Sequence, residues 1–428
     1  MHARDASARA RVCADCCELR ARTDGVLEDE SAPNSSAPSA CMAHSWAIHL
    51  SSRAQGPRAC VSAALAYYRL YFRANMSTQA EQPSAKRPEI ETGPAQPRYG
   101  LGVTIGKFYP LHQGHALLIS QAAERCDHLV VICSGREAEP VDMEVRASWI
   151  RTLFPSPHVE VITTPDDLPE APQPWATRTL ELLAPRRPDV VLTAEAYGDP
   201  WATLMGCAHV QLNTRITSGT ELRADLGRCW EMLTPPAKAH FCKRVAVIGV
   251  ESSGTTTLAQ ALAEHYQTAW VPEYGRFYWE GRRHTGDDWQ THEFVQIARG
   301  QHQLEDDLAH RSNRVLICDT DALATHVWHR RYVGSFSDST AAIADERSYS
   351  LYILTTPDFE FVQDGTRDGE AIRHEMHGWM RSVLEERASR SPYIVVTGGK
   401  EARLKAAVTA IDELLTFPIL PLPPAVQA

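Results

Sequence analysis

Two glycine-rich turns constrain this chain more than any other feature. One is G-K-F-Y-P-L-H-Q-G-H, from Gly106 to His115; the other is G-V-E-S-S-G-T-T-T, from Gly249 to Thr257. Each follows a short apolar run and opens a helical pattern. A strand that turns tightly into a helix presents backbone N–H groups and a helix dipole to an anion. Two such units predict an α/β protein with two parallel sheets, and 428 residues suffice for two cores.

The β-α rhythm begins near Arg98. Strands are expected at Gly100–Ile105, His128–Cys133, Val159–Thr163, Val190–Thr193 and Val210–Leu212. The helices between them fall at Gly114–Cys126, Glu144–Leu153, Thr177–Leu183, Trp201–Met205 and from about Ser218. A second series starts at Arg244, with strands at Val245–Ile248, Val315–Cys318, Ser350–Leu354 and Tyr393–Thr397. Its helices are expected at Thr256–His265, Thr291–His310, His374–Arg387 and Ala402–Leu415. The segments 1–97, 98–239 and 240–428 follow as an irregular extension and two domains. The extension is Ser/Ala/Pro-rich, with one helical stretch at Val61–Phe72 and a linker at Ala80–Pro88.

A net charge of −10 argues against broad coating of nucleic acid, and no stretch is long and apolar enough to span a membrane. Cytoplasm is the expected compartment, and a homo-oligomer is compatible with the sequence. Cys13, Cys16 and Cys17 form half of a metal knuckle without the second pair that zinc requires. The other cysteines read as small apolar residues.

In the first turn, Gly106 lets the chain approach a ligand closely, and Lys107 adds a cation beside it. His112 and His115 are three apart, so both imidazoles can face one spot. Gly114 leaves room at the helix start for a phosphate or a base. An isolated H-x-G-H is equally a cap or polar surface; the strand before it and the Gly-Lys ahead of it favour a site.

This stretch resembles the signature of the HxGH nucleotidyltransferases, in particular the nicotinamide mononucleotide adenylyltransferases of the bacterial NadR type. The resemblance implies a Rossmann-like domain in which His112 and His115 contact the triphosphate of ATP, with Gly106, Lys107, Phe108 and Gly114 around it. A second motif of that family is similar to T-S-G-T-E-L-R, Thr217 to Arg223. It implies that Ser218, Gly219 and Thr220 hold phosphates and that Arg223 neutralises them. From the residues alone, Ser218 is a natural N-cap and Arg223 lies about one turn into the helix. The family has a helix containing Glu, Arg and Trp where this chain has Glu144, Arg146 and Trp149. Trp149 is then expected near a pyridine base, with a core role the plain alternative.

The second turn has Walker spacing, but Thr255 stands where the phosphate-bridging lysine is usual, and Thr256 occupies the position that offers a hydroxyl to Mg²⁺. Three readings stay open: an active kinase with a cation supplied from elsewhere, a degenerate loop that binds nucleotide, and a plain glycine turn. The loop residues concerned are Gly249, Glu251, Ser252, Ser253, Gly254, Thr255, Thr256 and Thr257. The rest of this half is similar to the ribosylnicotinamide kinase domain of the same family, through P-E-Y-G-R (Pro272–Arg276), D-T-D (Asp319–Asp321) and D-G-T-R-D (Asp364–Asp368). That resemblance implies a P-loop kinase domain in which Glu273, Tyr274, Arg276 and Asp321 line the nucleoside pocket. Asp319 is then the base or Mg²⁺-organising carboxylate, and Arg367 and Arg373 are candidates for the missing charge.

The resemblance implies an enzyme with ATP as co-substrate and Mg²⁺ as cofactor. It would join nicotinamide mononucleotide to the AMP group of ATP and phosphorylate nicotinamide riboside. The alternative is a regulatory binding protein that senses nucleotide through an inactive loop.

Overall fold

The computed structural model describes residues 98–214, 216–283, 286, 288–363 and 369–416, all within one compact unit, Ala85–Ala428. The cysteine cluster at 13–17, the helical stretch 61–72, the linker 80–88 and Arg367 lie outside the described residues.

The first half is an all-parallel five-stranded sheet in the order β3-β2-β1-β4-β5. Its strands are β1 (Tyr99–Gly106), β2 (Cys126–Gly135), β3 (Val159–Pro165), β4 (Val190–Thr193) and β5 (Ala208–Gln211). Val103, Val130, Ile132, Val190, Val191 and Leu192 are wholly buried. Helices on both sheet faces make such apolar runs stable as central strands. The helices are α1 (Gln113–Arg125), α2 (Met143–Leu153), α3 (Pro172–Leu183), α4 (Gly198–Met205) and the short α5 (Gly219–Ala224). Leu101, Val103, Val191, Leu183, Trp201 and Met205 meet in one core.

The second half repeats the theme with the order β10-β9-β6-β8-β7, again all parallel. Its strands are β6 (Lys243–Ile248), β7 (Trp270–Val271), β8 (Val315–Asp319), β9 (Leu351–Thr355) and β10 (Tyr393–Val396). After α6 (Pro235–Phe241), the helices are α7 (Thr255–Tyr266), α8 (Tyr274–Arg282), α9 (Thr291–Ala309), α10 (Ala322–Val333), α11 (Asp338–Asp345), α12 (Arg373–Arg387) and α13 (Lys400–Thr416). Helix α6 packs on both α2 and α9, so it joins the two halves.

In each sheet the first strand is central; in the first sheet the chain winds outward from it on both sides, and in the second it passes from β6 to the edge strand β7, returns to β8 beside β6, and then winds outward through β9 and β10. A crevice forms at the carboxyl ends of the strands where the winding reverses, the usual ligand position in open α/β sheets. Both glycine-rich turns leave the carboxyl end of such a strand, β1 and β6.

Candidate functional sites

At the first turn the chain leaves β1 through Phe108, whose φ is 47°. The ring folds back over Gly106, where a Cβ would come within 3.3 Å of it. His112 is the N-cap of α1, and its Nδ1 accepts from the His115 backbone N–H at 3.3 Å. Capping draws the two imidazoles together: the rings stack 3.6 Å apart, and Phe108 meets His115 edge-on at 5.0 Å. Gly114 allows this approach, since a Cβ there would lie 3.1 Å from the His112 ring and 3.2 Å from the Thr214 carbonyl. The room expected at Gly114 for a ligand is taken up by protein.

Helix α5 closes on this loop as the T-S-G-T-E-L-R pattern suggests. Ser218 caps it, its Oγ accepting from Glu221 N–H at 3.1 Å. Arg223 donates to the Tyr109 carbonyl at 2.6 Å and to Thr220 Oγ1 at 3.0 Å. Gly219 is held by the same contacts, for a Cβ there would meet Arg223 Nη1 at 3.0 Å and the Tyr109 carbonyl at 3.1 Å. Arg223 thus shares the surroundings of both histidines. Burial first, and then the Arg223 charge, holds His112 down at about 4. His115 lies well below the ordinary range, through burial and then the neighbouring His112. Both are neutral in the free protein, and buried His115 Nδ1 has no hydrogen-bond partner. One fixed guanidinium beside two neutral imidazoles is a set that suits an anion, because imidazoles gain protons where negative charge arrives.

Lys107 reaches Asp166 at 2.7 Å and Glu139 at 3.6 Å. Arg146 is the frame behind it. Fully buried, it donates to the Lys107 carbonyl at 2.8 Å and pairs with Glu139 at 2.8 Å. Glu144, on the outer side of α2, bonds Thr163 and Arg151. Trp149 is buried edge-on against His240 and Phe241 of α6. The structure therefore places it in the packing between the halves, because α2 turns that face toward α6.

At the second turn, Gly254 has φ 83° and starts α7, and Ser252 has φ 55°. Left-handed residues beside right-handed ones turn successive N–H groups inward, which makes the anion nest. Gly249 has no room for a side chain: a Cβ would lie 2.1 Å from Thr355 Oγ1 and 2.5 Å from Ser253 Oγ. Ser253 points away from the cavity, donating to the Val250 carbonyl and bonding Thr355. From behind, buried Arg403 of α13 donates to the carbonyls of Ser253 (2.6 Å), Gly398 (2.7 Å) and Thr356 (2.8 Å). Arg403 thus ties the Ser253 carbonyl outward, and the Ser253 N–H is taken by the Val250 carbonyl at 3.2 Å.

The loop opens onto a cavity of about 200 Å³ that Gly249, Glu251, Thr255, Thr256 and Thr257 share with Glu273, Arg276 and Asp319. Asp319 ends β8 beside Val247 of β6. Burial, then the Glu273 carboxylate, pushes Asp319 up to about 7, while the Thr256 and Thr255 hydroxyls and Arg276 pull it down. Glu273 is raised by burial, and Arg276 opposes the shift. The far wall is aromatic: Trp279, Trp289, Phe294, Trp328 and Tyr332. Trp289 is fixed there by Arg282 stacked 4.1 Å over its ring, and Arg282 pairs with Glu293 at 2.6 Å. The sequence reading missed this wall because aromatics at helical spacing read as core.

Two expected pocket residues, Asp321 and Tyr274, and one candidate for the missing charge, Arg373, are used elsewhere. Asp321 caps α10 through Ala324 N–H at 2.9 Å and accepts from Tyr352 OH at 2.7 Å, so both oxygens are occupied. Tyr274 is buried against Gly300 of α9, where a Cβ would lie 2.3 Å from its ring. Arg373 donates to the Phe359 carbonyl at 2.7 Å and lies over the Phe361 ring. Among the described residues it is linked to the loop through Phe359, whose ring tip is 3.5 Å from a Cβ placed on Gly254.

A family model described as an AAA domain matches residues 244–403. The chain is 29% identical over 316 residues to the trifunctional NAD biosynthesis/regulator protein NadR of Escherichia coli (strain K12), covering 67% of this chain and 76% of that protein. To its namesake in Salmonella typhimurium (strain LT2) it is 28% identical, over 69% of this chain and 80% of the relative. Two solved structures share the fold. A NadR protein in complex with NR superposes with a TM-score of 0.58 at 22% identity, over 77% of this chain and 99% of that one. A NadR protein in complex with NAD and AMP-PNP gives 0.57 at 23% identity, over 76% and 98%. At 28–29% identity along two-thirds of its length the chain is similar to the curated NadR proteins, and it shares the fold of the two NadR structures.

Proposed function

We propose that this chain makes NAD. In this reading the first site joins nicotinamide mononucleotide to the AMP group of ATP and releases diphosphate. The second site phosphorylates nicotinamide riboside to supply that mononucleotide. The observation that carries the reading is the stacked, neutral His112–His115 pair under Arg223, at the switch point of the first sheet. Adenylyl transfer asks the protein to hold a triphosphate in line with an attacking phosphate oxygen and to stabilise the charge that develops. His112, His115 and Arg223 are suited to that role, with Lys107 at the rim. The relatives' name, with its mention of NAD biosynthesis, supports the same reading.

For the second site, the support is a nest for phosphate on one side and an aromatic wall on the other. Nicotinamide riboside carries a pyridinium cation, and a flat cation is favoured against aromatic faces beside carboxylates. The donor set of Asp319 and Thr256 fits Mg²⁺, which takes oxygen ligands and usually needs one or two carboxylates besides the phosphates. Bound there with ATP, the metal would offset the triphosphate charge. In this reading Asp319, its carboxyl pushed up to about 7 by burial, accepts the riboside hydroxyl proton.

The test uses purified protein with ATP and Mg²⁺. NAD should form from the mononucleotide, and ADP from the riboside. His115→Ala should abolish NAD formation and leave ADP release intact; survival of NAD formation would overturn the first assignment. The absent loop lysine, with the word regulator in the relatives' name, favours one second reading, a nucleotide sensor. A sensor would bind the nucleotides and form neither product.

A further inference from the structure

We propose that Arg276 supplies the positive charge that the phosphate loop lacks at Thr255. This rests on the kinase reading of the second site and deepens it.

The residues facing the cavity carry three carboxylates, Glu251, Glu273 and Asp319, and among the described lining residues Arg276 is the one arginine or lysine. Without compensation, such a lining repels a triphosphate. Thr255 is too short to replace a lysine: its hydroxyl turns to Asp319, and its methyl lies 3.0 Å from where a Cβ on Gly249 would be. Strand pairing brings Arg276 to the right end of the cavity. Trp270 and Val271 of β7 lie in register with Ile317 and Cys318 of β8. The chain leaving β7 therefore carries Glu273 and the first turn of α8 alongside Asp319. The Arg276 Nε is 4.0 Å from the Glu273 carboxylate, and its charge is felt at Asp319 as well as at Glu273.

Among the described residues, the other arginines near the loop serve its frame. Arg403 spends its donors on three carbonyls behind the loop. Arg331 of α10 pairs with Glu251 at 3.2 Å, its guanidinium within 5.5 Å of the Trp328 and Tyr332 ring centres, and it compensates a carboxylate the loop itself carries. Arg373 holds the Phe359 carbonyl. Arg276 is half-exposed on a flexible stem and leans on a carboxylate. A guanidinium binds phosphate oxygens through two parallel hydrogen bonds, a stronger match than a single carboxylate contact at 4.0 Å. In phosphoryl transfer, where charge spreads over the γ-phosphate oxygens, that contact lowers the barrier.

The experiment compares wild type, R276Q and T255K/R276Q in ADP release from nicotinamide riboside. If Arg276 stands in for the lysine, R276Q lowers kcat about a hundredfold with the KM for riboside little changed, and the restored lysine recovers at least about tenfold of the loss. NAD formation at the first site should stay at the wild-type rate in both variants, which shows that they are folded. A rise in riboside KM at constant kcat, or a double variant as slow as R276Q, overturns the inference. If wild-type protein releases no ADP, the kinase reading fails on its own. Arg276 is then judged by binding of Mg·AMP-PNP to protein that also carries H115A. R276Q should weaken that binding about tenfold, and equal binding overturns the inference.

Discussion

His112 and His115 are held neutral by burial and by the cation beside them, so each pays for its position in lost protonation. A bound triphosphate reverses the balance and raises both values. Between the free value of about 4 for His112 and the higher bound value, ATP binding must take up protons and strengthen as pH falls. Calorimetry at about pH 5.5, in two buffers of different ionisation enthalpy, should show that uptake. Its absence would mean that the pair meets no anion. The free protein carries the opposite sign. As pH falls from the unfolded value near 6.5 toward about 4, the unfolded chain gains a proton at residue 112 that the folded chain refuses. Stability drops through this window, and His112→Asn should flatten the drop in a series of urea melts. At this scale the sequence named the histidines, Arg223 and Asp319. It could not separate Asp321 and Tyr274 from the pocket residues beside them in sequence, because the Tyr352 bond to Asp321 and the packing of Tyr274 on Gly300 are decided across the fold.

The phosphate loop is an element whose shape is set by what surrounds it. Gly249 lies against the buried Thr355 at the end of β9, and Arg403 draws the Ser253 carbonyl outward. Gly249→Ala would put a methyl 2.1 Å from a hydroxyl on a rigid strand, so the loop must shift. ADP release from the riboside should fall at least about tenfold while NAD formation is unchanged, and equal rates would show that the loop is not the nucleotide site. The spacing of glycines predicted this turn and the helix after it. Helices α10 and α11 went unread for a physical reason. Residues 322–327 are buried in succession, so the first half of α10 has no exposed face to reveal its period. Strand β7 has only two residues, too few for alternation to be seen.

Across the whole molecule, the segment after α5 binds the halves together. Leu233 bridges to His112, and Thr234 donates to the Leu111 carbonyl through both N–H and hydroxyl. Three residues earlier, buried Trp230 donates to the Ser312 carbonyl at 2.8 Å, between α9 and β8. One short stretch therefore touches the histidine loop and the base of the second sheet. Trp230→Phe keeps much of the packing but leaves that carbonyl unsatisfied, at a cost of about 1–3 kcal/mol. Both activities should be lost at one lowered melting temperature; separate transitions would show that the halves unfold independently. Most of the strands, the two glycine-rich turns and the helices that follow them were determined by the sequence itself, because apolar runs and glycine spacing act over a few residues. Which arginine faces a ligand, which aromatic rings wall the cavity, and that Trp149 belongs to the seam with α6 were decided only by tertiary structure. Those roles depend on which faces of distant helices meet, and no local pattern carries that information.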